Sequence, residues 1–428
     1  MAMPRAERAL DALNLFLSDV RYGLGAYLAV YLLERHAWDE ASIGVALSAG
    51  AMAGLLAQTP VGVLVDGLRA KRALVAGAAA LVTATCLAIP LAPRFWPVTA
   101  AQVVSGAAAG AFPPAIAAIS LGVVGAAAFA RRVGRNEAFN HGGNAACNVV
   151  VGLSATFYGP VVVFWLMGAM ALASIASALA IPARAIDHRT ARGLVHGAGR
   201  HAPGEGPSQW GVLLRRRPLL VFAGCGALFH LANAAMLPLV GQKLSLLVPG
   251  QGTSLTAASA IAAQAVMVPM SVLAGARADA WGRKPLLLLG FLALSLRGVL
   301  YTLSDRPGWL VAVQLLDGVG AGLFGALFPV VVADLTRGTG RFNAAQGAVA
   351  TVQALGGVVS TTLAGVVAAR AGYDAAFLTL AAIALVGAAL FGMAMPETGP
   401  GPETGPGPAA ATAPPGRAPR ASAGPAPG

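Results

Sequence analysis

Apolar residues run along this chain in blocks of about twenty, separated by short clusters of charge, glycine and proline. A helix needs about 20 mostly apolar residues to cross the hydrocarbon core of a bilayer. Twelve blocks reach that length, at roughly 11–33, 39–61, 73–92, 97–122, 137–159, 161–182, 218–240, 254–276, 285–303, 308–333, 343–368 and 373–395. The alternation of about ten residues that marks a transmembrane strand is missing from them. The blocks therefore predict helices, which satisfy their own backbone polar groups within lipid. The expected fold is an all-α membrane protein with 12 transmembrane helices.

Composition and charge add a topology. Hydrophobic residues make up 57% of the chain and charged ones 11%, against about 25% charged in a soluble domain. With the N-terminus in the cytoplasm, 22 of the 29 Lys and Arg residues fall on inside segments and five outside. Arg21 and Arg297 lie within spans. That bias is the positive-inside signal, and it puts both termini in the cytoplasm. The net charge of +12 then reports topology and contact with anionic lipid, and nucleic acid is not an expected partner. Asp19 and Arg21 interrupt the first apolar run, so this span is expected to stay as an uncleaved anchor. Abundant Ala, Gly, Pro and Arg fit a GC-rich genome and a bacterial cytoplasmic (inner) membrane. Cys86, Cys147 and Cys225 all sit in apolar stretches and read as small packing residues.

The chain repeats itself. Residues 62–72 and 275–285 each join two apolar blocks, and each carries an Asp four residues after its first Gly. Asp66 and Asp279 stand 213 residues apart; Gln102 and Gln314, which open similar Gly-rich stretches of spans four and ten, stand 212 apart. Duplicated membrane halves are the arrangement expected of a secondary transporter. The halves are expected at 1–183 and 218–395, joined by a polar cytoplasmic linker at 184–217 with a short interfacial helix near Trp210 to Arg217. The Pro/Gly-rich tail, 396–428, cannot bury a core and is expected to be disordered.

On these loops the chain resembles the major facilitator superfamily, whose loop between spans two and three has the form G-x-L-x-D-x-x-G-R-K-R. The first copy keeps Gly62, Leu64, Asp66, Arg69, Lys71 and Arg72 but lacks the second Gly in register. The second copy, with Gly275, Asp279, Gly282, Arg283 and Lys284, matches better. The resemblance covers about residues 10 to 395. It implies two pseudo-symmetric six-helix halves that rock about a midplane site in alternating access. Span four has Gln102 and Ser105 where the family often has an Arg, and the Gly-Pro pattern of exporters in span five is partial.

An ionised group in hydrocarbon costs about 2.5–3.5 kcal/mol on insertion scales, so each intramembrane charge needs a cavity or a partner. Asp19 is read as a proton-carrying carboxylate, with Arg21 as counter-charge or substrate anchor; a fixed interhelical ion pair is the alternative. Asp317, with Gln314 one turn before it, is a second proton-coupling candidate or the static partner of Arg297. His230, which can titrate near neutral pH, is a third. Asn140, His141 and Asn144 on span five, Asn233 on span seven, and Gln346 and Gln353 on span eleven are candidates to line a substrate cavity or to close helix contacts. Asp66, Arg69, Asp279, Arg283 and Lys284 are expected at a cytoplasmic gate, with Arg131, Arg135 and Arg341 as candidate partners. The glycine pairs Gly50/Gly54, Gly106/Gly110 and Gly318/Gly322 read as helix packing surfaces.

The chain carries no H-E-x-x-H, no G-x-S-x-G and no Cys/His cluster at ligand spacing, which argues against an enzyme, and no P-loop, which argues against a primary pump. No cofactor or metal is expected. The reading is a monomeric secondary transporter that moves a small organic solute with protons, by efflux. The alternative is a proton-coupled importer of an organic acid or metal chelate, with Arg21 holding a carboxylate.

Overall fold

The computed structural model describes residues 4–21, 25–36, 38–158, 162–194, 211, 215–249 and 251–399. Fourteen α-helices are named here among these: α1 Arg5–Val20, α2 Gly25–His36, α3 Glu40–Gly67, α4 Lys71–Ala88, α5 Phe95–Ala109, α6 Phe112–Tyr158, α7 Val162–Ala180, α8 Arg217–Asn233, α9 Met236–Leu247, α10 Gly252–Trp281, α11 Arg283–Leu300, α12 Pro307–Val313, α13 Leu315–Thr336 and α14 Phe342–Ala394. Among the described residues, eight helical stretches are long and apolar enough to cross a membrane. Two of them hold more than one apolar block. α6 breaks at Gly125 (φ 73°) and α14 at Gly372 (φ 87°), backbone angles that side-chain-bearing residues rarely adopt. The first block is carried by α1 and α2. α11 falls outside the eight because Arg283, Lys284 and Arg297 lie along it.

Two hydrophobic cores follow the two halves of the sequence. One is built from residues between Ala6 and Ala191. The other runs from Leu219 to Met395 and takes in Ala117, Leu121, Phe129, Ala130 and Val133 of α6. Its centre is a column of rings in which Phe229 stacks on Phe324 with centroids 4.5 Å apart and meets Phe291 edge-on at 5.2 Å. Such ring pairs add about 0.5–1.5 kcal/mol beyond area burial.

Within each half, glycines let backbones meet. A side chain at Gly106 would strike the carbonyl of Gly50, and one at Gly318 would strike that of Ala263. Between the halves the same device operates at the end bearing the 62–72 and 275–285 loops. Gly62 lies against the backbone of Asn343, Gly347 against Gln58, and Gly134 against Ser271 and Gly275. Thr59 and Thr351 hydroxyls add a bond of 3.2 Å. α3 is thus sealed on α14, and α6 on α10, along a seam at the loop end.

The first residues of the linker lie across this end. Asp187 N–H donates to Gly122 O (2.9 Å), Gly338 N–H to Gly193 O (2.7 Å), and Arg192 to Gly67 O (3.3 Å). Residues 195–210 and 212–214 lie outside the described residues, and with them half of the expected interfacial helix.

Gly347→Leu should prevent the α3–α14 seam from closing, because overpacking costs about 1–3 kcal/mol. In a background lacking the native cysteines, Ala117→Cys inside the molecule should then react faster with a membrane-impermeant thiol reagent supplied on the loop side. Unchanged labelling would show that the seam tolerates the side chain.

Candidate functional site

Between the halves lies a cavity of about 470 Å³. α1 contributes Asn14, the turn after it Arg21, and α3 Gln58. α6 contributes Asn136, Glu137, Asn140 and His141, α8 His230, and α14 Gln346 and Gln353. A second void of about 480 Å³ shares Arg21, Gln58, Pro113 and Ala354 with it and continues along α3 to Leu47. The sealed part of α3 is residues 58–66, so the open space runs from the middle of the molecule away from the loop end.

The polar groups on α6 form one stripe, because residues three and four apart share a helix face. Glu137 Oε2 accepts from Asn140 Nδ2 (3.2 Å) and lies 4.0 Å from His141 Nε2. The other ring nitrogen of His141 is 2.8 Å from Gln264 Oε1 on α10, in the opposite half. Arg21 has no ion-pair partner among the described residues. Gln58 Oε1, Gln346 Oε1 and Gln353 Nε2 are buried with no hydrogen-bond partner among the described residues. Leaving such atoms unsatisfied costs about 1–3 kcal/mol each; lining a cavity, they are available to a polar ligand.

The expected candidates separate into groups. Arg21, Asn140, His141, His230, Gln346 and Gln353 come together at the cavity. His230 Nδ1 is 2.9 Å from Gly226 O, and its ring packs edge-on against Phe324. The Asp19 side chain lies outside the described residues. Asn144 is instead bonded by Asn148 Nδ2 at 2.8 Å and is not among the lining residues. Asn233 Oδ1 is buried off the cavity with no partner among the described residues.

Asp317 is not at the cavity. It accepts from Arg297, which is 1% exposed, and from Gln314 Nε2 (3.0 Å), while Tyr301 donates to Gln314 Oε1. Of the two sequence alternatives, the geometry is that of the ion pair between α11 and α13.

Glu137 is the residue the sequence reading passed over. The expected fifth span begins at 137, next to Arg131, Arg132 and Arg135, and Glu137 at its first position is not among the intramembrane candidates. Helix α6 runs well before it and places it inside. The available signal was its spacing of four from His141. A second missed cluster lies on the loop side of the cavity. Asp11 accepts from Arg132 (2.5 Å) and from Arg135 (2.8 and 2.9 Å), and Arg132 donates to the lining residue Asn136 (2.9 Å). Arg135, expected to face a loop Asp, thus holds Asp11.

The two loop Asp residues differ. Asp66 reaches across the seam, accepting from Asn343 Nδ2 (2.8 Å) and from the backbone N–H of Asn343 (3.2 Å) and Ala344 (2.9 Å) at the start of α14. A carboxylate there meets the positive end of the helix. Arg69 is exposed. Asp279 pairs locally with Arg283 (2.8 Å), which also binds Asp334 on α13 (3.1 Å). Glu397, from the expected tail, accepts from the backbone N–H of Arg283 (2.8 Å) and Lys284 (3.1 Å) at the start of α11. Burial pushes the Glu397 carboxyl up, but four backbone N–H donors outweigh it and hold it below the usual 4.5.

The family model described as Major Facilitator Superfamily matches residues 12–276 and 232–423. Two relatives from Mycobacterium tuberculosis, strains CDC 1551 / Oshkosh and ATCC 25618 / H37Rv, are each 53% identical over 395 residues. Each match covers 92% of this chain and 94% of the relative, and both relatives are described as uncharacterized MFS-type transporters. Among solved structures, the proton:xylose symporter XylE aligns with a TM-score of 0.70 at 13% identity, over 92% of this chain and 96% of that one. FucP in its outward conformation aligns at 0.68 and 14% identity, over 91% and 98%. The human organic anion transporter MFSD10 aligns at 0.67 and 16%, over 91% and 100%. At these identities the likeness is one of fold.

Two outcomes follow for the buried and capping charges. Asp317→Asn should cost about 3–5 kcal/mol by leaving the Arg297 charge buried alone, and Arg297→Met with Asp317→Leu should recover most of it in thermal unfolding. For Glu397, a depressed folded-state pKa gives stability that is present above the unfolded value and lost as pH falls through the folded one. The stability gap between wild type and Glu397→Gln should be full at neutral pH and close below about pH 4.5, read from melting curves against pH.

Proposed function

The chain belongs to the Major Facilitator Superfamily and is a multi-pass membrane transporter with no enzymatic role, and from that premise we propose proton-coupled efflux of a small organic solute by alternating access. The observation that carries the reading is the cavity between the halves, lined from both and sealed at one end by the α3–α14 and α6–α10 seam. The proposed topology has twelve spans with both termini in the cytoplasm of a bacterial cell, in keeping with the 22 basic residues that the sequence assigns to inside segments. The sealed end is then cytoplasmic, and the conformation faces outward. The transporter works as a monomer in the inner membrane.

Proton coupling is supported by the ionisable groups Glu137, His141, His230 and Arg21 around one cavity, and Asp19 remains a candidate beside them. Exchange is favoured over co-transport because solute and proton would draw on the same polar groups. A solute that pairs with Glu137 or the amides excludes the proton, and the proton in turn releases the solute. Asp66, bonded across the seam to the start of α14, is the proposed cytoplasmic latch, with Arg283 and Lys284 bracing the second half. The Arg21 guanidinium, without an ion-pair partner among the described residues, favours the second reading, an importer of organic acids or their metal chelates.

Purified protein in liposomes with an internal pH-sensitive dye tests this directly. A panel of organic acids, chelates and cationic drugs should include a solute whose gradient drives protons in the opposite direction. Movement of proton and solute together would establish the importer reading. Solute flux that leaves the internal pH unchanged would overturn proton coupling.

A further inference from the structure

We propose that Glu137, His141 and Gln264 together form the site that holds the coupled proton and reports its presence to the opposite half. The inference rests on the proton-coupled reading above and adds to it the residues and the sign of the effect.

The imidazole of His141 stands between two oxygens. Nδ1 is 2.8 Å from Gln264 Oε1 on α10, and Nε2 is 4.0 Å from Glu137 Oε2, one turn earlier on α6. Both partners, as placed, are acceptors. A neutral imidazole carries one N–H and one lone pair, whereas the protonated ring carries two donors. The protonated ring therefore donates to Gln264 while placing its positive charge 4.0 Å from the Glu137 carboxylate, whereas a neutral ring that donates to Gln264 carries no charge to pair with Glu137. A charge-assisted hydrogen bond is also roughly twice as strong as a neutral one. Gain of one proton, shared by the Glu137–His141 pair, thus strengthens a bond that spans the two halves.

The place of this bond matters. Gly134 and Gly275 touch backbone to backbone nearer the loop end. His141 lies about two turns and Gln264 about three turns beyond that contact on the same pair of helices, and a side chain at Gly142 would meet no atom within 4 Å. The bond sits where the sealed seam gives way to open space, so water reaching the cavity from the open side can deliver a proton there and receive it back. Among the described residues, the cavity lining supplies one further cation, Arg21, from the turn after α1. α8 supplies His230, and α14 supplies the amides of Gln346 and Gln353. On the loop side Asn136 separates the pair from Asp11, Arg132 and Arg135. Asp19 belongs to α1, and its side chain lies outside the described residues.

Binding energies are reciprocal. If the proton strengthens the α6–α10 bond, the arrangement with that bond intact holds the proton more tightly than the one without it. The outward-facing conformation is then the proton-accepting state, and parting of α6 from α10 at the seam is the step that releases it.

The test needs no substrate. Infrared difference spectra of the full-length protein in lipid nanodiscs, titrated with pH, should show linked carboxyl and imidazole bands changing at one midpoint. Glu137→Gln and His141→Gln should each remove that linked transition. Gln264→Ala should keep it but move the midpoint down by about one pH unit, a tenfold loss of proton affinity. Melting curves establish that each variant is folded; Gln264→Asn replaces the alanine variant if it is not. An unmoved midpoint in Gln264→Ala would overturn the cross-half link. A transition that survives Glu137→Gln but disappears in Asp19→Asn would move the proton site to α1 and leave proton coupling standing. A wild-type spectrum that does not titrate would overturn the coupling itself.

Discussion

Close approach of backbones across the loop-end seam is the constraint from which the rest of the arrangement follows. Lipid offers no hydrophobic drive for one apolar helix to join another, so association in the membrane relies on packing and on interhelical hydrogen bonds. Glycine at 62, 134, 275 and 347 removes the side chains that would hold α3 from α14 and α6 from α10. Once the backbones touch, Asp66 can reach the first N–H groups of α14 and His141 can reach Gln264. Each of these bonds joins the two halves and is lost if the halves part at that end. Packing of this kind has two arrangements and few intermediates, which suits a carrier that alternates between them.

The charges divide accordingly. Those that brace one half are fully paired. Arg297 with Asp317, Arg283 with Asp279 and Asp334, and Lys243 with Asp305 (2.7 Å) and Asp374 (2.8 Å) all stay within the second half. Those at the cavity are sparsely engaged: Glu137 accepts from an amide and lies 4.0 Å from an imidazole, and three glutamines keep polar atoms unbonded among the described residues. A carrier must bind and let go, and groups already satisfied by the protein can do neither.

Much of the architecture was legible in the chain because lipid enforces a simple rule on length and polarity. The apolar blocks, the repeated loops and the packing glycines could all be read from spacing. The site was legible only in part. Arg21, Asn140, His141, His230, Gln346 and Gln353 were on the short list, and all six reach one cavity. Asp317 looked equally suited to carrying a proton, since a mid-span carboxylate looks the same whether its partner is water or an arginine. Glu137 stood at the first position of the expected fifth span and was not on the list, whereas α6 runs well before it.

Periodicity and charge bias thus determine that this chain crosses a membrane in two related halves and that its loops gather the positive charge, because both patterns are local and the bilayer reads them one segment at a time. Which half touches which, and through which atoms, is not local. The bonds between Asp66 and Asn343, His141 and Gln264, and Arg297 and Asp317 join residues 277, 123 and 20 positions apart. Only the folded chain brings them within hydrogen-bond reach, and it is their pairing or its lack that separates a bracing charge from one that faces the cavity.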